Sequence, residues 1–332
     1  MNTKTVFNYV KTSSIFISKN IFLQWKKGKF QESDRFILPI SSTSLHYGQT
    51  AFEGMKAYRT KSGHIQLFRP FDNARRFQDS CERLVMPAYP VDDFVDAVTK
   101  TVLANESFIP PYGDLSSLYI RPFMIGWGDN IGVKPASEYL FSIFVTPVGS
   151  YFEGKALDMV TSDYDRAAPM GTGQAKVGGN YGSSLLAKKI AKDQGFADCI
   201  FLDPLTHTKI EEAGTANFFA ITKDNKFITP KSNSILDGIT KRSLIYIAKN
   251  MLNLKVEETD VFVDDLSNIS EAAACGTAAV ISPIASITHQ GKKHTFPYHE
   301  AMGPVTKQLY DILIGIQFGD IPDPDNWVKV IK

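Results

Sequence analysis

The sequence predicts a mixed α/β (α+β) protein in two domains, on three observations. The chain has 332 residues, about twice the length of one ordinary domain. Short β-rich runs and amphipathic helical stretches occur in both halves. A punctuated break, Thr146-Pro-Val-Gly-Ser150, lies near the middle. The expected division is a smaller N-terminal domain over 1–148, a linker over 149–156 and a larger C-terminal domain over 157–332.

Each element has its own local cause. Phe52–Tyr58 and Ile65–Phe68 read as strands around the turn at Lys61-Ser-Gly63. Phe71–Leu84 reads as a helix, with Asp72 and Asn73 near its start. Asp92–Asn105 follows as a second helix, with Phe94, Val95, Val98, Val102 and Leu103 on one side. Ser117–Ile125 and Tyr139–Val148 are apolar, β-rich runs. Past the break, Leu157–Thr161 is strand-like, and a helix runs from about Tyr181 to Gln194, closed by Gly195. Strands are expected at Cys199–Leu202, Asn217–Ile221 and Lys226–Ile228, and helices at Ile239–Leu252 and Pro304–Ile316.

Composition excludes several classes. Lys+Arg and Asp+Glu number 36 and 35, a balance that favours neither nucleic acid nor an anionic membrane. Cys81, Cys199 and Cys275 form no CxxC, and an odd count leaves no complete disulfide framework. A reducing cytoplasm fits that usage. No apolar run reaches the roughly 18 residues a membrane-spanning helix needs. Met1–Asn20 carries Lys4, Lys11 and Lys19 without a sustained apolar core, so a secretory signal is not expected; a transit peptide stays a weak alternative because arginine is absent there.

Five segments carry chemistry. Gly171-Thr-Gly-Gln-Ala-Lys-Val-Gly-Gly-Asn-Tyr-Gly182 sets Lys176 among glycines, five residues before Tyr181. Such an amine suits an imine with a flat phosphorylated aldehyde. Lys209-Ile-Glu-Glu-Ala-Gly-Thr-Ala-Asn217 supplies two acids before a glycine turn. Asp237-Gly-Ile-Thr-Lys241 opens a helix, whose N-terminus attracts phosphate. Cys275-Gly-Thr-Ala278 is a small-residue turn, and Arg75-Arg76 offers a fork for phosphate. Read singly, each has a plain alternative: a mobile loop at Lys176, a solvated turn at Glu211 and Glu212, a helix start at Thr240, an inert strand residue at Thr277, surface charges at Arg75 and Arg76. Together they match what pyridoxal 5′-phosphate asks of a protein: an imine lysine, a carboxylate for the ring nitrogen, an arginine, hydroxyls and a helix entry. No GxxxxGK[ST] or GxGxxG segment is placed to support a nucleotide site, and no metal ligand set is expected.

Seven segments occur in an order that resembles one family: Leu45-His-Tyr-Gly-Gln-Thr-Ala-Phe-Glu-Gly-Met-Lys-Ala-Tyr58, Leu67-Phe-Arg-Pro70, Tyr119-Ile-Arg-Pro122, Thr146-Pro-Val-Gly-Ser-Tyr151, Lys176-Val-Gly-Gly-Asn-Tyr-Gly182, Glu212-Ala-Gly-Thr-Ala-Asn217 and Cys275-Gly-Thr-Ala-Ala279. They resemble the branched-chain amino acid aminotransferases, class IV enzymes of the fold-type IV pyridoxal-phosphate group. The match runs from about Phe36 to the C-terminus.

The resemblance implies a fold with the cofactor between two domains, and a role for each matching residue. Lys176 forms the internal aldimine and carries the proton transfer. Tyr181 holds the cofactor's phenolic oxygen and Glu212 its pyridine nitrogen. Arg76, Ile239, Thr240 and Thr277 bind phosphate, with Arg166 assisting. Thr277 and Ala278 offer backbone N–H groups to the substrate carboxylate. Phe52, Tyr119 and Tyr151 line the pocket, and Arg121 serves the acidic co-substrate. Tyr47 and Ile131 come from a partner subunit, so a homodimer is implied. Some animal relatives carry a redox CxxC after this turn. Here those positions are Ala279 and Ser282, so no such switch is expected, and Cys275 reads as a small buried residue.

The expected activity is reversible transamination between L-leucine, L-isoleucine or L-valine and 2-oxoglutarate. The alternatives are another fold-type IV activity, D-amino acid aminotransferase or aminodeoxychorismate lyase, and a non-catalytic binding protein on the same fold. The Tyr119-Ile-Arg-Pro122 and Phe52-Glu-Gly-Met-Lys56 segments favour the first reading over the lyase and the D-specific enzyme. Intact Lys176, Tyr181 and Glu212 argue against the third.

Overall fold

The computed structural model describes residues 8–149 and 155–332. Tyr151 and most of the expected linker lie outside the described residues. Contacts divide the chain into two compact units: Met1–Ser150 with Ala175–Gly179 and Gly315–Lys332, and Tyr151–Gln174 with Asn180–Ile314. Residues 175–179 count with the first unit because Val177 bridges Ala51. The C-terminal stretch does so because Val328–Val330 pairs with Ile65–Phe68.

In the first unit the sheet runs Val328–Val330, Ile65–Phe68, Met55–Arg59, Ser117–Gly126, Glu138–Val148, Ile15–Ile21, Gln24–Trp25, with antiparallel neighbours throughout. Lys29–Gln31 adds to Ile15–Ile21, and Thr50–Phe52 to Ser117–Gly126. The helices Pro70–Arg83 and Val91–Ala104 belong to the core on one face. Proline suits the first position of the former, where a backbone N–H would have no partner. The core joins Phe77 and Phe94 from the helices to Met55, Leu118, Ile120, Phe141 and Val145 from the strands. Burying each large side chain contributes about 1.5–3 kcal/mol.

Period-two alternation puts a different set on the opposite face. Phe52 registers with Phe123, and Lys56 with Tyr119, so Phe52, Lys56, Tyr119, Arg121 and Phe123 share it. The expected strand Phe52–Tyr58 is interrupted at Glu53-Gly54. Glu53 N–H donates to Pro122 O at 2.8 Å, but Pro122 has no N–H to return.

In the second unit six strands close a ring. Ile210–Ala213, Asp198–Leu202, Leu157–Thr161, Val280–His289, Ile269–Gly276 and Ala216–Thr222 follow one another, and the last pairs back with the first. Closure leaves the ring no free edge. Met159, Ile200, Phe218, Ala272, Ala274, Ile284 and Ile287 belong to this unit's core. Lys226–Pro230 and Lys255–Thr259 extend the sheet beyond Ala216–Thr222.

The expected helix over Tyr181–Gln194 is two pieces, Gly178–Ser183 and Leu185–Asp193, separated at Ser184. Gly195 closes the second with φ +87°. The helix expected at Ile239–Leu252 is α-helical over Ile239–Tyr246, then a wider turn over Ile247–Met251. Among the described residues, no helix is long and apolar enough to cross a membrane.

Candidate active site

In the first unit Lys176 is fixed by its backbone. Its N–H donates to Ser80 Oγ at 2.9 Å, and its carbonyl accepts the N–H of Phe52 at 3.0 Å. The amine Nζ lies 4.8 Å from the centroid of the Phe52 ring. The guanidinium of Arg121 lies 4.7 Å from the same centroid and donates from Nη2 to Tyr119 Oη at 2.9 Å. Phe52, Tyr119, Arg121 and Lys176 are therefore neighbours.

Lys56 joins this face and was missed in the sequence reading. It is buried, and burial brings its amine down to about 8. Its parity with Phe52 across the Glu53-Gly54 interruption was the available signal.

Of the arginine pair, Arg75 is exposed and Arg76 buried. Nε and Nη2 of Arg76 each lie 2.8 Å from an oxygen of Glu53, a fully buried carboxylate. This two-pronged pair fixes the guanidinium plane. Tyr47 and Ile131 lie on the surface together, where Tyr47 Oη donates to Ile131 O at 2.5 Å.

In the second unit Glu212 is a buried strand residue, not part of a solvated turn. Its Oε1 accepts the N–H of Leu236 at 2.9 Å and Asn217 Nδ2 at 3.3 Å. Asn217 Nδ2 also donates to Leu236 O at 2.9 Å. Glu211 alternates away, and its carboxylate accepts Ser232 Oγ at 2.6 Å. Ile239 and Thr240 open the helix Ile239–Tyr246, just after Gly238. A Cβ on Gly238 would stand 1.8 Å from Asn217 Oδ1, so a side chain there would have to displace the Asn217 amide that holds Glu212.

Strand register gathers the rest. Glu212 pairs with Asn217, and Asn217 with Cys275. The turn at Thr277-Ala278, which links Ile269–Gly276 to Val280–His289, thus follows directly from the strand beside Asn217. Glu212, the helix entry and this turn share one end of the ring. Cys275 is fully buried, and burial pushes its thiol up to about 12, which makes it a poor nucleophile. Tyr181 sits on the helix Gly178–Ser183, where its carbonyl accepts Ser184 Oγ at 2.8 Å. Arg166 is buried beside Glu212, with Nε 2.9 Å from Oε2. The Nε–H points off that line, so the contact is an ion pair rather than a straight hydrogen bond.

Residues 50–287 match the family model for amino-transferase class IV. A branched-chain-amino-acid aminotransferase of Haemophilus influenzae is 54% identical, over 98% of this chain and 97% of the relative. One from Helicobacter pylori is 52% identical, over 97% of this chain and 95% of the relative. The crystal structure of branched-chain amino acid aminotransferase from Thermobaculum terrenum in its PLP form superposes with TM-score 0.82 at 27% identity, covering 97% of this chain and 99% of that one. By matched length and by identity, the chain belongs to the class IV aminotransferases.

Proposed function

We propose that this chain is a branched-chain-amino-acid aminotransferase. It moves the amino group of L-leucine, L-isoleucine or L-valine to 2-oxoglutarate, with pyridoxal 5′-phosphate as resident cofactor. One observation carries the cofactor reading. A buried carboxylate, Glu212, shares one end of the ring with a helix entry whose Gly238 packs against Asn217 and with a small-residue turn. The donor set fits a phosphorylated pyridine: an acid for the ring nitrogen, and backbone N–H groups with hydroxyls for the phosphate. The 54% identity to a relative of that name supports the substrate class.

When bound, the cofactor supplies an electron sink for charge developing at the substrate α-carbon. Lys176 holds the cofactor and moves the α-proton with its amine. Glu212 keeps the ring nitrogen protonated, and Tyr181 holds the phenolic oxygen. Arg76, Ile239, Thr240 and Thr277 hold the phosphate. Thr277 and Ala278 orient the substrate carboxylate, while Phe52, Tyr119 and Tyr151 enclose the side chain. Arg121 receives the second carboxylate of the acidic co-substrate. One methylene in an apolar pocket is worth about 1–3 kcal/mol, so preference among the three branched substrates is modest.

The working form in this reading is a cytoplasmic homodimer, in which the partner subunit supplies Tyr47 and Ile131. Visible absorbance of the purified protein with pyridoxal phosphate tests the reading. Bleaching of the imine band by L-leucine but not D-alanine is expected. Bleaching by D-alanine alone moves the reading to a D-amino acid enzyme, and no band at all defeats the role of Lys176.

A further inference from the structure

Arg166 makes contacts that a phosphate ligand would not need. Besides the 2.9 Å approach of its Nε to Glu212, its Nη2 donates to Gly173 O at 3.0 Å and to Ser234 O. Its own carbonyl accepts Ser183 Oγ at 3.0 Å. These partners come from four places in the chain: the strand bearing Glu212, the glycine loop three residues before Lys176, the stretch leading into the Ile239–Tyr246 helix, and the helix Gly178–Ser183. Gly173 packs so tightly that a Cβ there would lie 2.4 Å from Ser234 Cα. One guanidinium thus ties two tightly packed backbone segments to Glu212.

We propose that Arg166 is a positioning residue that holds Glu212 oriented and ionised, so that Glu212 accepts a hydrogen bond from the cofactor's protonated ring nitrogen. The proposal rests on the reading of Glu212 given above. A cation in contact favours the ionised carboxylate, and an ionised carboxylate can only accept. Leu236 N–H and Asn217 occupy Oε1, while Arg166 fixes the carboxylate from the Oε2 side. Lysine would keep the charge but lose the fork that grips two carbonyls as well.

The test compares R166Q and R166K with the parent protein, all loaded with pyridoxal phosphate. The quantities read are the pH midpoint of the visible imine band, the cofactor dissociation constant, Tm, and kcat and KM for L-leucine. For R166Q the midpoint should move by about half a pH unit or more, because ring charge feeds directly into imine basicity. Its kcat for L-leucine should fall by roughly 10²-fold with a smaller change in KM. The cofactor dissociation constant should change by less than about tenfold, the amount that one lost phosphate contact would cost. R166K should fall between, and it decides the matter if R166Q does not fold.

An unmoved midpoint with a dissociation constant raised more than about tenfold would make Arg166 a phosphate ligand and overturn the proposal. So would an unmoved midpoint with only a lower Tm, the mark of a structural role. If Glu212→Gln also leaves the midpoint in place, the reading of Glu212 has failed instead.

Discussion

Three buried charged residues lead to different outcomes when changed. Glu212→Gln keeps the shape and removes the charge. It should retain the cofactor and lose roughly 10²-fold or more in turnover, a loss typical of one misplaced electrostatic group. Steady-state assay beside a cofactor titration checks this, and unchanged turnover would refute the assigned role. Glu53→Gln strips Arg76 of its charged partner inside the protein. Breaking one side of a buried pair costs about 3–5 kcal/mol, so the urea midpoint should drop sharply. Lys56 reports through pH. Its folded amine is lowered from 10.5 to about 8 by burial. Below about 8 both folded and unfolded chains hold the proton. Between about 8 and 10.5 only the unfolded chain does, so stability rises with pH across that window. The parent protein should therefore gain up to roughly 3 kcal/mol on Lys56→Met between those limits, and parallel stability curves for the two would count against it.

At the scale of elements, legibility followed how local the signal was. The strands at Ser117–Gly126 and Glu138–Val148 were readable because both are long, apolar and β-rich. The helix Val91–Ala104 was readable from its one-sided apolar spacing. Ile210–Ala213 was not, since half its residues are glutamates, yet it is a buried strand paired on both sides. Ile269–Gly276 hid behind Ala272, Ala273 and Ala274, whose composition reads helical while the ring needs small strand residues. The same limit applies to the site. Lys176, Tyr181 and Glu212 stood in recognisable segments, whereas the Arg166–Glu212 pair joins residues 46 positions apart. Glycines mark where such distant segments meet. Gly173→Ala pushes a methyl into the backbone of Ser234, and overpacking of that kind typically costs about 1–3 kcal/mol. Its effect should reach beyond Tm, since the same loop leads to Lys176: slower reaction of the lysine with pyridoxal phosphate is expected in stopped-flow absorbance. Parent-like rates would mean the loop tolerates the methyl by shifting locally.

For the whole molecule, the first unit presents an apolar surface that calls for a cover. Ile37, Ile40, Ile131 and Val133 are 86–90% exposed, far from the usual state of large aliphatic side chains. Their loops are nevertheless well tied. Trp127 Nε1 donates to Ile37 O at 3.0 Å, Asn130 N–H to Ser41 O at 3.2 Å, and Tyr47 Oη to Ile131 O. A fixed apolar surface next to Tyr47 and Ile131 is what a self-association reading requires, because those two residues are the ones assigned to a partner's site. Burying each isoleucine would contribute about 1.5–3 kcal/mol, enough for a few of them to hold two subunits together at working concentrations. Ile131→Asp places a charge in that surface and should move the sedimentation coefficient from dimer to monomer. Specific activity should then become concentration-dependent, falling on dilution and recovering on concentration, because each site needs its partner's residues. A variant that remains dimeric with parent activity would show that subunits meet elsewhere. A fully active monomer would show that one chain builds the site alone.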